Sequence, residues 1–266
     1  MSRVLSRGET RPGHTVGVRE LVPVLGAVLL LYFVVPVLVL VLTYSPAALF
    51  SSLTETYVIN AAITSLVAAL GSTTIAVVFG LPLAYWLSRN TGALATAAMG
   101  AVVLPLVLPP VVSGMLLLTV VGPNGLGGLT GLALTRSLVG VVAAQTFVAS
   151  PFFVVTAKAA FDGIDDHLEE ASRSLGRDWV GTMRSVTIPL AKPGLLAGLV
   201  LTFARAMGEF GATMMLAYYP RTLPVQIWAS FISDGLDAAL PVAVVLLGVA
   251  LGTLLVVHAL RATPWR

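Results

Sequence analysis

Arg205 and Glu209 are the side chains best placed to do chemistry: opposite charges, four residues apart, in an otherwise apolar run. On a helix that spacing puts both on one face, where they can pair. Gly208, Gly211 and Ala212 lie beside them, and Thr213 extends the polar face by one more step of four. Small residues permit close helix approach or leave room for a solute. Two readings stay open: an ion pair that holds two helices in register, or a polar wall along which a solute passes. Other chemistries lack their residues. There is no cysteine, and His14, His167 and His258 lie far apart with no HExxH pattern. The Gly-rich stretch 122–136 lacks the Lys-Ser/Thr ending of a phosphate loop, and no strand precedes it, so it reads as a flexible loop. The chain therefore has no nucleotide site of its own, and no cofactor or metal is expected.

The elements that must hold this pair follow from composition. Of 266 residues, 57% are hydrophobic and only 10% charged, and the mean hydropathy is +0.96. Soluble domains carry about 25% charged residues, so this is an all-α integral membrane protein. The length suits about six spans of ~20 residues plus loops. Residues 1–20 form a basic tail with Arg3, Arg7, Arg11 and Arg19, and residues 21–266 form a single transmembrane domain. The apolar run 21–43 is too long for a signal-peptide core and has no small-residue cleavage site near its end, so it reads as an uncleaved first span. Further spans are expected at 59–87, 93–121, 137–160, 194–217 and 239–260. The third contains Pro105, Pro109 and Pro110. Prolines free backbone carbonyls, which is tolerated only against neighbouring helices or a cavity; Pro109 and Pro110 are thus either a packing kink or a break lining a pathway. Residues 218–238 are too polar to cross and too apolar to be fully solvated, so a partly embedded loop and short helix is expected there.

Charge fixes the orientation. With the N-terminus inside, cytoplasmic segments hold Arg3, Arg7, Arg11, Arg19, Arg89, Lys158, Arg173, Arg177, Arg184, Lys192, Arg261 and Arg266, against Arg136 and Arg221 outside. That bias places both termini, and the segment 161–193, in the cytoplasm of a multi-pass protein of the cell membrane. An ionic side chain at mid-bilayer costs at least ~2.5–3.5 kcal/mol, so Arg205 and Glu209 must face the bundle interior or a wet cavity. Membrane proteases and transferases need Ser/His, paired Asp or metal ligands at that depth. Arg205 and Glu209 offer none of these, and an enzyme is not expected.

The cytoplasmic segment 161–193 has the marks of folded structure. Asp166 and Glu169 form a capping-box-like pair, and Asp165, Asp166, Glu169 and Glu170 crowd the first turn ahead of Arg173 and Arg177. Glu169 and Arg173 are an i,i+4 pair in the favourable order, worth about 0.3–0.5 kcal/mol. Gly176 is placed for a left-handed cap. A second short helix is expected from Asp178 to about Ser185, broken by Ile188-Pro189, with Pro193 in the first turn of the fifth span. A helix–Gly–helix on the cytoplasmic face is either a docking element or a re-entry device packed on the bundle.

Glu170-Ala171-Ser172, Gly176 six residues after the Glu, and Val186-Thr187-Ile188-Pro189 resemble the EAA loop of ABC-type importer permeases. This sequence keeps the Glu, the first Ala, the Gly and the Pro at the family spacing. It departs with Ser172 for the second Ala, Val186 for Ile and Ile188 for Leu. The resemblance implies that Glu169, Glu170, Ala171, Ser172, Gly176, Ile188 and Pro189 couple the chain to a cytoplasmic ATPase. The stretch FARAMGEFGATMMLAYYPRTLP is similar to the fifth span of the molybdate/tungstate branch, and related sulfate permeases carry a like pattern. The resemblance implies a homodimer in membrane lipid, two ABC ATPase subunits below and an oxyanion-binding protein outside, with no nucleic acid. It also implies a pathway lined by Arg205, Gly208, Glu209, Gly211, Thr213, Pro109 and Pro110. Glu209 in an anion pathway requires its charge to be offset, by Arg205 or by backbone donors. The rival is a self-sufficient carrier or channel, which would leave segment 161–193 without a purpose.

Overall fold

The computed structural model describes residues 16–43, 51, 53–131 and 134–262. Arg3, Arg7, Arg11, His14 and Arg266 lie outside the described residues, as do the side chains of Arg19, His258 and Arg261. Two units are distinguished, Met1–Pro46 and Ala47–Arg266. The first contains one helix, α1 (Val16–Thr43), which starts ahead of the expected boundary at 21. Its run Leu21–Leu42 is apolar on all sides, with a mean hydropathy of 3.0 and none of it buried in the protein. Such a helix has lipid as its natural solvent.

The regular elements among the described residues of the second unit are all helices. Its elements are α2 (Thr56–Arg89), α3 (Ala93–Val107), α4 (Pro110–Val121), α5 (Leu126–Thr130) and α6 (Leu138–Asp162). They continue with α7 (Asp166–Ser174), α8 (Trp179–Thr182), a π-helical turn (Met183–Thr187), α9 (Ile188–Met207), α10 (Gly211–Leu216), α11 (Leu223–Asp234) and α12 (Leu236–Ala262). Six described helical stretches are long and apolar enough to cross a membrane: Leu21–Leu42, Thr56–Arg89, Pro110–Thr130, Leu138–Asp162, Trp179–Met207 and Leu236–Thr253.

The core centres on α6, which packs against α2 on one side and α9 on another. Small residues make this possible. A Cβ on Gly80 would sit 3.1 Å from both Phe153 and Val154, and one on Gly194 would reach 2.5 Å from the Ala160 Cβ. Ala68, Ala69, Ala76 and Ala84 of α2, all buried, continue the same close approach. The packed pairs rise together along α2 and α6 (Ala68 with Val141, Gly80 with Phe153), so these two helices run parallel. The order reverses between α6 and α9, where Gly194 meets Ala160 and Ala206 clusters with Ala149.

Three stretches differ from expectation. The span expected at 93–121 is two helices, because Leu108 and Pro109 are extended (ψ 137° and 134°). Each precedes a proline, and that position is sterically excluded from the helical region. The Gly-rich loop contains the short α5. The expected break at Ile188-Pro189 is absent, and helix runs without interruption from Trp179 to Met207. The π turn explains this. The Ile188 N–H bonds to the Met183 carbonyl, five residues back, so Pro189 falls in the first turn of α9, where no donor is needed. Pro193 sits inside α9 instead of at its start.

Candidate functional site

Segment 165–189 hangs from a buried carboxylate. Asp165 caps α7 by accepting from the His167 N–H at 3.0 Å, so the cap is Asp165, and the capping box expected of Asp166 and Glu169 does not form. Glu169 instead turns into the bundle, where it is 2% exposed. Its Oε1 accepts from Arg89 Nη2 at 2.8 Å and from the Thr187 hydroxyl at 2.9 Å. Its Oε2 accepts from the Tyr85 hydroxyl at 3.2 Å and lies 3.5 Å from Arg173 Nη2. Arg89 also donates to the Phe161 carbonyl and pairs with Asp166 at 3.3 Å. The physical reason is charge: at the end of α2, Arg89 offers a stronger partner than a backbone N–H of α7. Burial acts to raise the Glu169 pKa. The bonds from Arg89 and Thr187, the Arg89 charge and the Tyr85 bond outweigh it, and the carboxyl is held below its ordinary value.

Around this anchor the other residues of the segment divide. Ser172 is buried and its hydroxyl accepts from Thr182 at 3.0 Å, which ties α7 to α8. Gly176 has φ +87°, the left-handed turn between α7 and α8. Glu170, Ala171 and Pro189 are exposed and Ile188 is half-buried. Leu175, Trp179 and Val180 are exposed apolar side chains on the same segment, at 85%, 57% and 51%. That apolar edge beside acidic and basic residues is suited to a protein partner. Arg89, Tyr85 and Thr187 were missed in the sequence; the one signal was a lone arginine ending a span.

The Arg205–Glu209 pair forms, with Nη2 to Oε2 at 2.6 Å. Its setting differs from a single helical face. Helix α9 stops at Met207, and Glu209 lies in the break before α10, 1% exposed. Its Oε1 accepts from the Ala212 N–H at 2.8 Å and so caps α10. The carboxylate thus meets both a cation and a freed backbone donor, which is what a helix interruption at this depth demands. Thr213 belongs to α10, not to a polar stripe of α9.

A second break lies alongside. A Cβ on Gly211 would stand 3.0 Å from the Val111 N and 3.1 Å from the Pro110 Cβ. One on Gly114 would stand 2.7 Å from the Ala212 carbonyl oxygen. The Pro109-Pro110 interruption and the one at 208–210 are therefore packed together. A Cβ on Gly208 would meet only the Ala204 carbonyl oxygen of its own helix, at 3.6 Å.

Polar side chains gather at this tier. Ser72, Thr73, Ser113, Gln145, Thr202 and Thr213 are buried and have unpaired polar atoms within the chain. Gln145 is 0% exposed, and neither atom of its amide is paired. It lies one turn from Val141, which packs with Ala68 and Ala217, and one turn from Ala149, which packs with Ala69, Ala206 and Met207. Glu209 and Thr213 fall between those same two clusters in the chain, so Gln145 shares their level. Each unpaired group carries a desolvation cost of about 1–3 kcal/mol, which water or a polar solute would remove. Gln145 too was missed: a single amide in an apolar span has no partner in sequence to flag it.

Residues 76–262 match the model of the family described as binding-protein-dependent transport system inner membrane component. The chain is 63% identical to a probable molybdenum ABC transporter permease protein of Haloferax volcanii, over 93% of this chain and 92% of that one. It is 34% identical to the molybdate/tungstate transport system permease protein WtpB of Thermococcus kodakarensis, over 88% and 92%. Its fold is similar to that of a bacterial alginate ABC transporter crystallised with an alginate pentasaccharide-bound periplasmic protein, at a TM-score of 0.65 and 17% identity, covering 90% of each chain. With a helical membrane fold, a family model spanning most of its length and relatives aligned nearly end to end, the chain belongs to the binding-protein-dependent transport system inner membrane components.

Proposed function

We propose that this chain is the permease subunit of an ATP-driven importer of a tetrahedral oxyanion, molybdate or tungstate. The observation that carries the substrate is the 63% identity, across nearly the whole chain, to a relative named as a molybdenum permease. Two copies would form the pathway, with an ATPase subunit under each and an oxyanion-binding protein outside. Both termini would be cytoplasmic, and the chain itself would have no catalytic activity.

The geometry supports a route for mechanical work. The ATPase would grip the exposed side of 165–189, namely Glu170, Ala171, Leu175 and Trp179. Closure of the ATPase pair would pull α7, and Glu169 would pass that displacement to α2 through Arg89. The same pull would enter α8 and travel along the unbroken helix to the break at 208–210. There Arg205, Glu209, Gln145 and Thr213 would line a polar passage beside Pro109 and Pro110. Glu209 is offset by Arg205 and the Ala212 N–H, so an anion would meet a low net field. Affinity would reside in the capture protein.

The test is uptake into proteoliposomes that hold the permease, its ATPase and the capture protein. Molybdate or tungstate should enter only with ATP and should raise ATP hydrolysis. Entry without ATP would make the chain a carrier or channel. Sulfate entering as well as molybdate would place it in the sulfate branch.

A further inference from the structure

Tyr218 and Tyr219 stand at the end of the second unit opposite the docking segment. Arg136 comes just before α6, whose other end, some 37 Å away along 25 residues, reaches that segment at Asp162. The Leu223 N–H donates to the Ser65 hydroxyl at 2.8 Å, which places the start of α11 at the same level of α2, far from Arg89.

Two guanidinium groups meet these rings. Arg221 Cζ lies 5.0 Å from the Tyr218 ring centre and 4.8 Å from that of Tyr219. Arg136 Cζ lies 5.9 Å from the Tyr219 centre. The two rings pack edge to face, 5.1 Å apart. Arg221 is half-buried, its Nε is buried without a hydrogen-bond partner, and its Nη1 donates to the neutral Gln226 Oε1 at 3.3 Å. Among the described residues, no carboxylate pairs with Arg136 or Arg221, as none does with Arg177 or Arg184 of the opposite end. Thr222, fully buried, has an unpaired hydroxyl and precedes the first residue of α11, whose N-terminus adds positive potential.

This is a positive site held in place by aromatic faces and lacking its counter-charge. A half-buried guanidinium without an anion carries a desolvation penalty that a small dianion entering beside it would offset. Forked donors on a rigid plane suit oxygens in a tetrahedral array. An acidic protein surface would instead engage the exposed Arg136 and leave the buried Nε and the Thr222 hydroxyl unmet. From this site the chain leads directly inward: α10, six residues or about 9 Å long, ends at the break that holds Glu209.

We propose that Arg221, framed by Tyr218 and Tyr219 and assisted by Arg136 and Thr222, is an oxyanion-binding site on the extracytoplasmic face of the permease itself. It takes the tetrahedral dianion from the capture protein before the anion enters the polar tier at Gln145 and Glu209. The assignment of face and ligand rests on the transport reading.

Phenylglyoxal labelling of the purified permease–ATPase complex, mapped by peptide mass spectrometry, tests the site directly. Molybdate should slow labelling of Arg221 several-fold relative to chloride at matched ionic strength. Equal labelling rates overturn the proposal, and because the protein is wild-type no variant needs to fold. In proteoliposomes, Arg221→Gln should lower molybdate uptake at least about tenfold while the capture protein binds the complex as tightly as before. Arg221→Lys should recover part of that loss. If Arg221→Gln weakens capture-protein binding in proportion to uptake, the residue is a protein contact and the proposal is wrong. If wild-type proteoliposomes take up no oxyanion, the transport reading fails, and the labelling result still decides whether an anion site exists.

Discussion

Arg89 and Glu169 lie eighty positions apart in sequence and meet at 2.8 Å, carboxylate to guanidinium, at the junction of α2 and α7. Breaking one partner of a buried pair leaves the other uncompensated. Glu169→Ala should destabilise the protein by about 2–4 kcal/mol, visible as a lower melting temperature in detergent. It should also depress ATP-driven uptake more than ATPase activity. Arg89→Ala should act alike, and the double variant should lose much less than the sum. Additive losses would show that the pair carries no coupling.

The same carboxyl sets a pH dependence. Because its pKa is depressed in the folded protein, it binds fewer protons when folded than when unfolded. Its contribution is fully present above the ordinary value of 4.5 and is lost as pH falls through the lower, folded value. Melting temperature should therefore drop with acidification below pH 4.5, and Glu169→Gln should flatten that slope. An unchanged slope in the variant would assign the acid sensitivity elsewhere.

Ser172 stands where the EAA pattern has a second alanine, and the Thr182 hydroxyl donates to it. Ser172→Ala removes the acceptor and leaves a buried hydroxyl unpaired, at about 1–2 kcal/mol. Adding Thr182→Val should recover most of that stability, read as melting temperature. If the single change is neutral, the bond between α7 and α8 is dispensable.

Gly114 and Gly208 separate packing from room. A methyl at Gly114 would press on the Ala212 backbone at 2.7 Å, so Gly114→Ala should cost about 1–3 kcal/mol. A methyl at Gly208 meets only its own helix at 3.6 Å, so Gly208→Ala should leave stability unchanged. Loss of uptake in Gly208→Ala with an unchanged melting temperature would mark the space there as used by the solute; full uptake would remove Gly208 from the pathway.

Glu209→Gln keeps an oxygen for the Ala212 N–H but removes the charge opposite Arg205. The variant should fold and should take up molybdate at least about tenfold more slowly. Uptake at the wild-type rate in a stably expressed variant would make the pair a structural one.

What was legible in the sequence is what local chemistry decides. Unbroken apolar runs gave the helices, Gly176 gave its left-handed turn, and Pro109-Pro110 marked a weak point in the third span. What was hidden depends on contacts across the chain. Glu169 reads as a capping residue until Arg89 and Tyr85, from another helix, offer it better partners. Glu209 reads as the next step on a helix until its carboxylate takes the Ala212 N–H and ends that helix early. Pro189 reads as a breaker because periodicity does not reveal a π turn that moves it to a harmless position.

That π turn also sets a rotational phase. Each residue advances a helix by about 100°, so the extra residue held in Met183–Thr187 fixes which way every later side chain of α9 points. Were the same residues wound as regular α-helix, the glycine face that nests on α6 through Gly194 and Gly198 would turn aside by about 100°, and Arg205 would turn with it. The segment at the surface and the charge pair at the break are thus indexed to each other like teeth on one shaft; a one-residue deletion in 183–187 that closes the π turn to α-helix would keep that indexing, whereas a one-residue insertion would break it without touching either.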